Sequence, residues 1–107
     1  MYEKFGQFID GNWSPSSNKE TYEVINPATE EVIGHASKAT PADVERALKS
    51  AEKGFQVWKK TPPWQRAYIL RKIADKMREK AGVLAKWMTL EVGKPLAEAK
   101  GEIVGAA

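Results

Sequence analysis

Thr40-Pro41-Ala42-Asp43-Val44-Glu45-Arg46-Ala47-Leu48 is where the chain changes its period. Threonine can cap a helix, proline fits the first helical position, and aspartate favours the positive end of the helix dipole. From there Val44, Ala47, Leu48, Ala51, Phe55 and Trp58 fall at i, i+3, i+4, i+7, i+11 and i+14. That spacing places one apolar face along about four helical turns. Thr61-Pro62-Pro63 ends this helix and begins the next.

Upstream, the residues favour strands. Gln7-Phe8-Ile9 runs into Asp10-Gly11 and then Asn12-Trp13-Ser14. Asp-Gly between apolar residues predicts a hairpin, because a type I′ turn needs positive φ at both central positions. The polar stretch from Ser14 to Lys19 reads as a loop. Tyr22, Val24 and Ile25 predict an extended segment, closed by Asn26-Pro27-Ala28-Thr29. The residue before proline avoids the α region, so this is a turn signal. Val32 and Ile33 open a further strand that ends by about Lys38.

Downstream, Leu70, Ile73, Ala74 and Met77 form a second helical stripe. Ala81-Gly82 is expected to weaken or bend the helix. Val83, Leu84, Trp87, Met88 and Leu90 mark a third helix, with Gly93 as its left-handed terminator. Pro95 can start a fourth, carrying Leu96, Ala99, Ile103 and Ala106. This pattern meets Ala107 without a cap, and truncation is the expectation drawn from it. The predicted class is α+β: strands and loops over 1–39, then three to four helices over 40–107. Trp58 and Trp87 lie on apolar stripes and are expected to pack into a core.

The chain has 107 residues, a net charge of +3 and a pI near 9.2. One domain, or part of a larger one, fits that length. Basic and acidic residues are interleaved, as in Arg78-Glu79-Lys80, so a solvated surface is expected and no nucleic-acid partner. There is no cysteine, which removes disulfides, thiolate metal sites and a cysteine nucleophile from this chain. Met1 is followed by Tyr-Glu-Lys-Phe with no apolar leader segment, and no run approaches the roughly 20 apolar residues of a membrane span. A cytoplasmic protein without a membrane partner is the expectation.

Reactive constellations are scarce. His35 is the one histidine and is expected at a strand surface or edge. Ser14, Ser16 and Ser17 lack the glycines of a nucleophile elbow. Neither a GxGxxG nor a GxxxxGK[ST] run is present. Glu91, Glu98 and Glu102 read as surface charge, with Glu98 and Glu102 able to share a helix face. No catalytic or cofactor-binding residue is therefore assigned.

The ordered strings go further. Phe8-Ile9-Asp10-Gly11-Asn12-Trp13 and Val24-Ile25-Asn26-Pro27-Ala28-Thr29-Glu30-Glu31-Val32-Ile33 resemble the amino-terminal strands of the aldehyde dehydrogenase superfamily. The stretch from Asp43 through Trp58 resembles its first helix, and Gln65-Arg66-Ala67-Tyr68-Ile69-Leu70 its second. Thr89-Leu90-Glu91-Val92-Gly93-Lys94-Pro95-Leu96-Ala97-Glu98-Ala99 resembles its LE-x-GKP region, most like succinate-semialdehyde dehydrogenase-type members.

The resemblance implies an α/β parent fold with a Rossmann-type cofactor domain, of which this chain would be the amino-terminal part. It implies NAD or NADP as cofactor, an aldehyde substrate oxidised to a carboxylic acid, and a homo-oligomer when full-length. In such an enzyme a cysteine thiolate attacks the aldehyde, backbone and asparagine donors hold the oxyanion, and a glutamate-activated water hydrolyses the thioester. All of those groups would lie downstream, so the chain alone is expected to be catalytically incompetent. Several members bind a monovalent cation through backbone oxygens before the Asn-Pro turn and a carboxylate before the GKP run. Carried over, these are Val24, Ile25 and Glu91, with glutamate where those members often have aspartate. Oxygen ligands suit a hard cation. The competing reading is a small non-catalytic module that binds nucleic acid or protein, or gains stability by oligomerising.

Overall fold

A computed structural model describes residues 6–107. Met1 to Phe5, on which the expectation of no leader segment rests, lie outside the described residues. Four strands precede four helices: β1 (Gln7–Ile9), β2 (Asn12–Ser14), β3 (Thr21–Ile25), β4 (Val32–Ser37), α1 (Pro41–Trp58), α2 (Pro63–Glu79), α3 (Ala81–Val92) and α4 (Leu96–Ala106).

The strands form two separate antiparallel hairpins, β1–β2 and β3–β4. In the first, Phe8 faces Trp13 and Ile9 faces Asn12. Asp10 and Gly11 sit at φ of 52° and 77°, the doubly left-handed turn that the Asp-Gly pair predicts. In the second, the pairing shifts between Val24 and Ile25: Val24 faces Gly34 but Ile25 faces Val32. Ile33 is the extra residue, so the ladder carries a bulge at this point.

The helices begin and end where the sequence places them, with one difference. The break between α2 and α3 falls at Lys80, whose φ and ψ of −95° and 7° leave the helical region, and Gly82 lies inside the first turn of α3. Glycine disfavours a helix by about 1 kcal/mol relative to alanine, and the Gly82 position itself is exposed.

The chain divides into two units. One runs to Ile25 and resumes over Val32–Lys60; the other comprises Asn26–Glu31 and Thr61–Ala107. The buried apolar residues among those described are few and mostly small: Val24 in the first unit, and Ala81, Ala85 and Ala99 in the second. The α1 stripe is in the predicted register but uncovered, with Leu48 61% and Phe55 58% exposed. The α2 stripe is likewise open at Leu70 and Ile73. Trp58 and Trp87 were expected in a core; at 36% and 37% exposure they are not enclosed. Helical spacing fixes which face is apolar, but burial requires a second surface, and none of the described residues encloses these stripes.

Candidate functional site

The Asn26–Glu31 turn is organised by one residue. Asn26 is buried, and its Oδ1 accepts from the Ala28 amide at 3.0 Å. Its carbonyl accepts from the amides of Thr29 at 3.3 Å and Glu30 at 2.8 Å, and its own amide donates to the Glu31 carbonyl at 2.9 Å. This is the Asx-turn geometry that makes asparagine before proline a turn former. Within the same unit, Pro27 packs against the end of α3. A Cβ at Gly93 would lie 2.9 Å from Pro27 Cγ, and Gly93 has φ of 77° as the left-handed cap of α3. Glycine is required there twice over, for backbone conformation and for space.

Val24 and Ile25 immediately precede this turn. Val24 is buried and Ile25 exposed at the end of β3. The bulge falls between them, so regular pairing is interrupted at the two residues whose backbone oxygens the family resemblance selects. Glu91 is exposed in the last turn of α3, which holds no basic residue. That is the negative end of the helix dipole, where a nearby cation contributes about 0.3–1 kcal/mol. Val24 and Ile25 belong to the first unit and Glu91 to the second. Among the described residues no group of three or more His, Cys, Asp or Glu side chains is placed to hold a metal.

Two side-chain clusters escaped the sequence reading. Lys94 pairs with Glu102 across the α3–α4 connection, and that hydrogen bond, followed by opposition from partial burial, leaves the ammonium above its ordinary value. Glu102 was read only as surface charge. The second cluster centres on Asp43, which is 1% exposed. Its Oδ2 accepts from the Thr40 amide at 2.9 Å, the Thr40 hydroxyl at 2.9 Å and the Ser17 amide at 3.1 Å. Its Oδ1 accepts from the Ser17 hydroxyl and from the Arg46 guanidinium at 2.7 Å. The Ser17 hydroxyl, and then the Thr40 amide, hold this carboxyl far below the usual range. The sequence signalled half of this, as a capped helix start. The contribution of Ser17 had no local signal, because it comes from 26 residues away.

His35 is exposed on β4, as expected of a surface position. No helix among the described residues is long and apolar enough to cross a membrane.

Residues 13–107 match the aldehyde dehydrogenase family. The chain belongs to that family. Among curated relatives, a glutarate-semialdehyde dehydrogenase of Pseudomonas aeruginosa is 45% identical over 100 residues, covering 94% of this chain and 21% of the relative. A glutarate-semialdehyde dehydrogenase of Pseudomonas putida is 44% identical over the same span. Among solved structures, a point variant of betaine aldehyde dehydrogenase from Staphylococcus aureus, in complex with NAD+, superposes with a TM-score of 0.89 at 38% identity, covering 94% of this chain and 21% of that one. A 3,6-anhydro-L-galactose dehydrogenase in complex with NAP gives 0.90 at 36% identity, with the same coverage. This aldehyde dehydrogenase family chain thus spans about a fifth of the length of the relatives it matches. The two glutarate-semialdehyde dehydrogenases stand near the succinate-semialdehyde dehydrogenase type that the LE-x-GKP region resembles, and the matches lend nothing to a nucleic-acid or other binding module.

Proposed function

We propose that this chain is the amino-terminal part of the cofactor domain of an NAD(P)-dependent aldehyde dehydrogenase, and that the complete protein oxidises an aldehyde bearing a distal carboxylate to the dicarboxylic acid. The observation that carries the reading is the family match over residues 13–107, joined to relatives named for a semialdehyde substrate. The NAD+ and NAP complexes of the structural neighbours support a nicotinamide cofactor in the complete protein.

The residues of this chain fit a supporting role. With no cysteine and no glycine-rich phosphate loop, they supply neither the nucleophile nor the cofactor cradle. Bound cofactor would accept hydride from the substrate adduct in the remainder of the protein. What these residues do is hold two hairpins and four helices as a scaffold with open apolar faces. A cytoplasmic homo-oligomer is the setting that accompanies this reading.

The test is a comparison of kcat/KM in the complete protein for semialdehydes of different chain length, each with NAD and with NADP. A marked preference for carboxylate-bearing aldehydes supports the proposal. Equal or better turnover of uncharged aldehydes of the same length contradicts the substrate class.

The cation reading rests on the bulge at Val24 and Ile25 and on the place of Glu91 at a helix C-terminus. In the complete protein, Glu91→Ala should weaken the dependence of activity on K⁺ or Na⁺. Unchanged dependence removes the site.

A further inference from the structure

Asp43 is the one buried charged side chain among the described residues. Removing a carboxylate from water is costly unless donors replace its hydration, and here they do so from both sides. Thr40 and Arg46 belong to the start of α1; Ser17 belongs to the loop between β2 and β3, and Gln7 Nε2 approaches from β1 at 3.5 Å. Among the described residues, Arg46 is the one charged group paired with the carboxylate.

The large apolar side chains of the first hairpin, Phe8 and Trp13, are exposed and pack on each other, with little enclosed apolar surface among the described residues. A pair of three-residue strands is marginal by itself in water. Residues 8–11 and the face of α1 that carries Ala47, Ala51 and Val57 line an open cleft of about 510 Å³, spanned at its edge by the Ser50 hydroxyl, which donates to Asp10 Oδ1 at 3.4 Å between exposed groups. The loop that follows the hairpin is knit internally instead: the Ser16 hydroxyl donates to the Glu20 carbonyl at 2.9 Å, and the Lys19 amide to the Ser16 carbonyl at 2.9 Å. Asp43 joins that preformed loop to α1 through both the amide and the hydroxyl of Ser17.

We propose that Asp43 acts as an intramolecular carboxylate ligand, a latch that fixes the loop at Ser16 and Ser17, and with it the β1–β2 hairpin, to the start of α1. A helix cap alone would need only the exchange with Thr40. The loop-side donors make the same carboxylate a long-range fastening.

Hydrogen exchange on the intact protein and its Asp43→Ala, Asp43→Asn and Ser17→Ala variants tests this. In each variant, amides over residues 7–17 should lose protection by about tenfold or more while those of α2 and α3 keep theirs. Formate, which can refill the carboxylate position, should restore protection in Asp43→Ala, and chloride at equal ionic strength should not. Ser17→Ala leaves the Thr40 cap intact, so it keeps the test decisive if the Asp43 variants fail to fold. Undiminished hairpin protection in Ser17→Ala overturns the latch. Loss in Asp43→Ala that formate does not reverse also overturns it.

Discussion

At the residue scale, four positions join an unusual environment to a measurable consequence. Asp43 has an ordinary value of 3.8 that its donors depress, Ser17 first. A depressed carboxyl contributes stability that is fully present above its unfolded pKa and is lost as pH falls through its folded pKa. Unfolding titrations should therefore show stability falling below about pH 4, with a shallower slope in Asp43→Asn; identical slopes would contradict the assignment. Lys94 has the opposite sign. Its pair with Glu102 raises it above 10.5, so its contribution is present below that pH and lost above it. Gly11 and Gly93 share a φ of 77° but differ in surroundings, since nothing lies within 4 Å of a Cβ built at Gly11. Gly11→Ala should cost about 1–2 kcal/mol from backbone strain alone. Gly93→Ala should cost more, because its methyl also meets Pro27. Equal melting temperatures for the two variants would show that the Pro27 contact carries no weight.

Elements were the most legible level. The Asp-Gly hairpin, the Asn-Pro turn, the Thr40 cap and the glycine end of α3 each follow from a residue with one dominant local conformation. Local chemistry decides such positions before any tertiary contact forms. Thr40→Ala should accordingly destabilise the protein by about 0.5–2 kcal/mol, read by denaturant unfolding; no change would mean that the cap is redundant. Less legible were features set by long-range contact. The bulge at Val24 and Ile25 depends on pairing with β4, and the Ser17–Asp43 bond spans 26 residues. Periodicity identified the apolar face of α1 but could not say that it lies uncovered, since a period describes one element and burial describes two. Trp58 and Trp87 failed as core residues for that reason. Of the candidate cation ligands, the motif supplied the names Val24, Ile25 and Glu91; the bulge and the helix end supplied a physical setting for each.

At the scale of the whole molecule, the open faces and the length agree. Leu48 and Phe55 on α1 and Trp64 at the start of α2 are exposed large apolar groups, Trp64 to 70%. A solvated protein of this size seldom leaves such stripes open. By itself the 107-residue chain should self-associate, seen as concentration-dependent sedimentation, and Leu48→Glu with Phe55→Glu should reduce it. A monodisperse monomer at all concentrations would contradict the view that these faces await a cover. The central proposal is that the chain lends structure to an aldehyde dehydrogenase whose chemistry resides elsewhere. Its most direct test is formation of reduced nicotinamide cofactor from a semialdehyde, measured with this chain alone and with the complete protein. Turnover by the complete protein and none by the chain is the predicted result; turnover by the cysteine-free chain alone, or none by the complete protein, would contradict it.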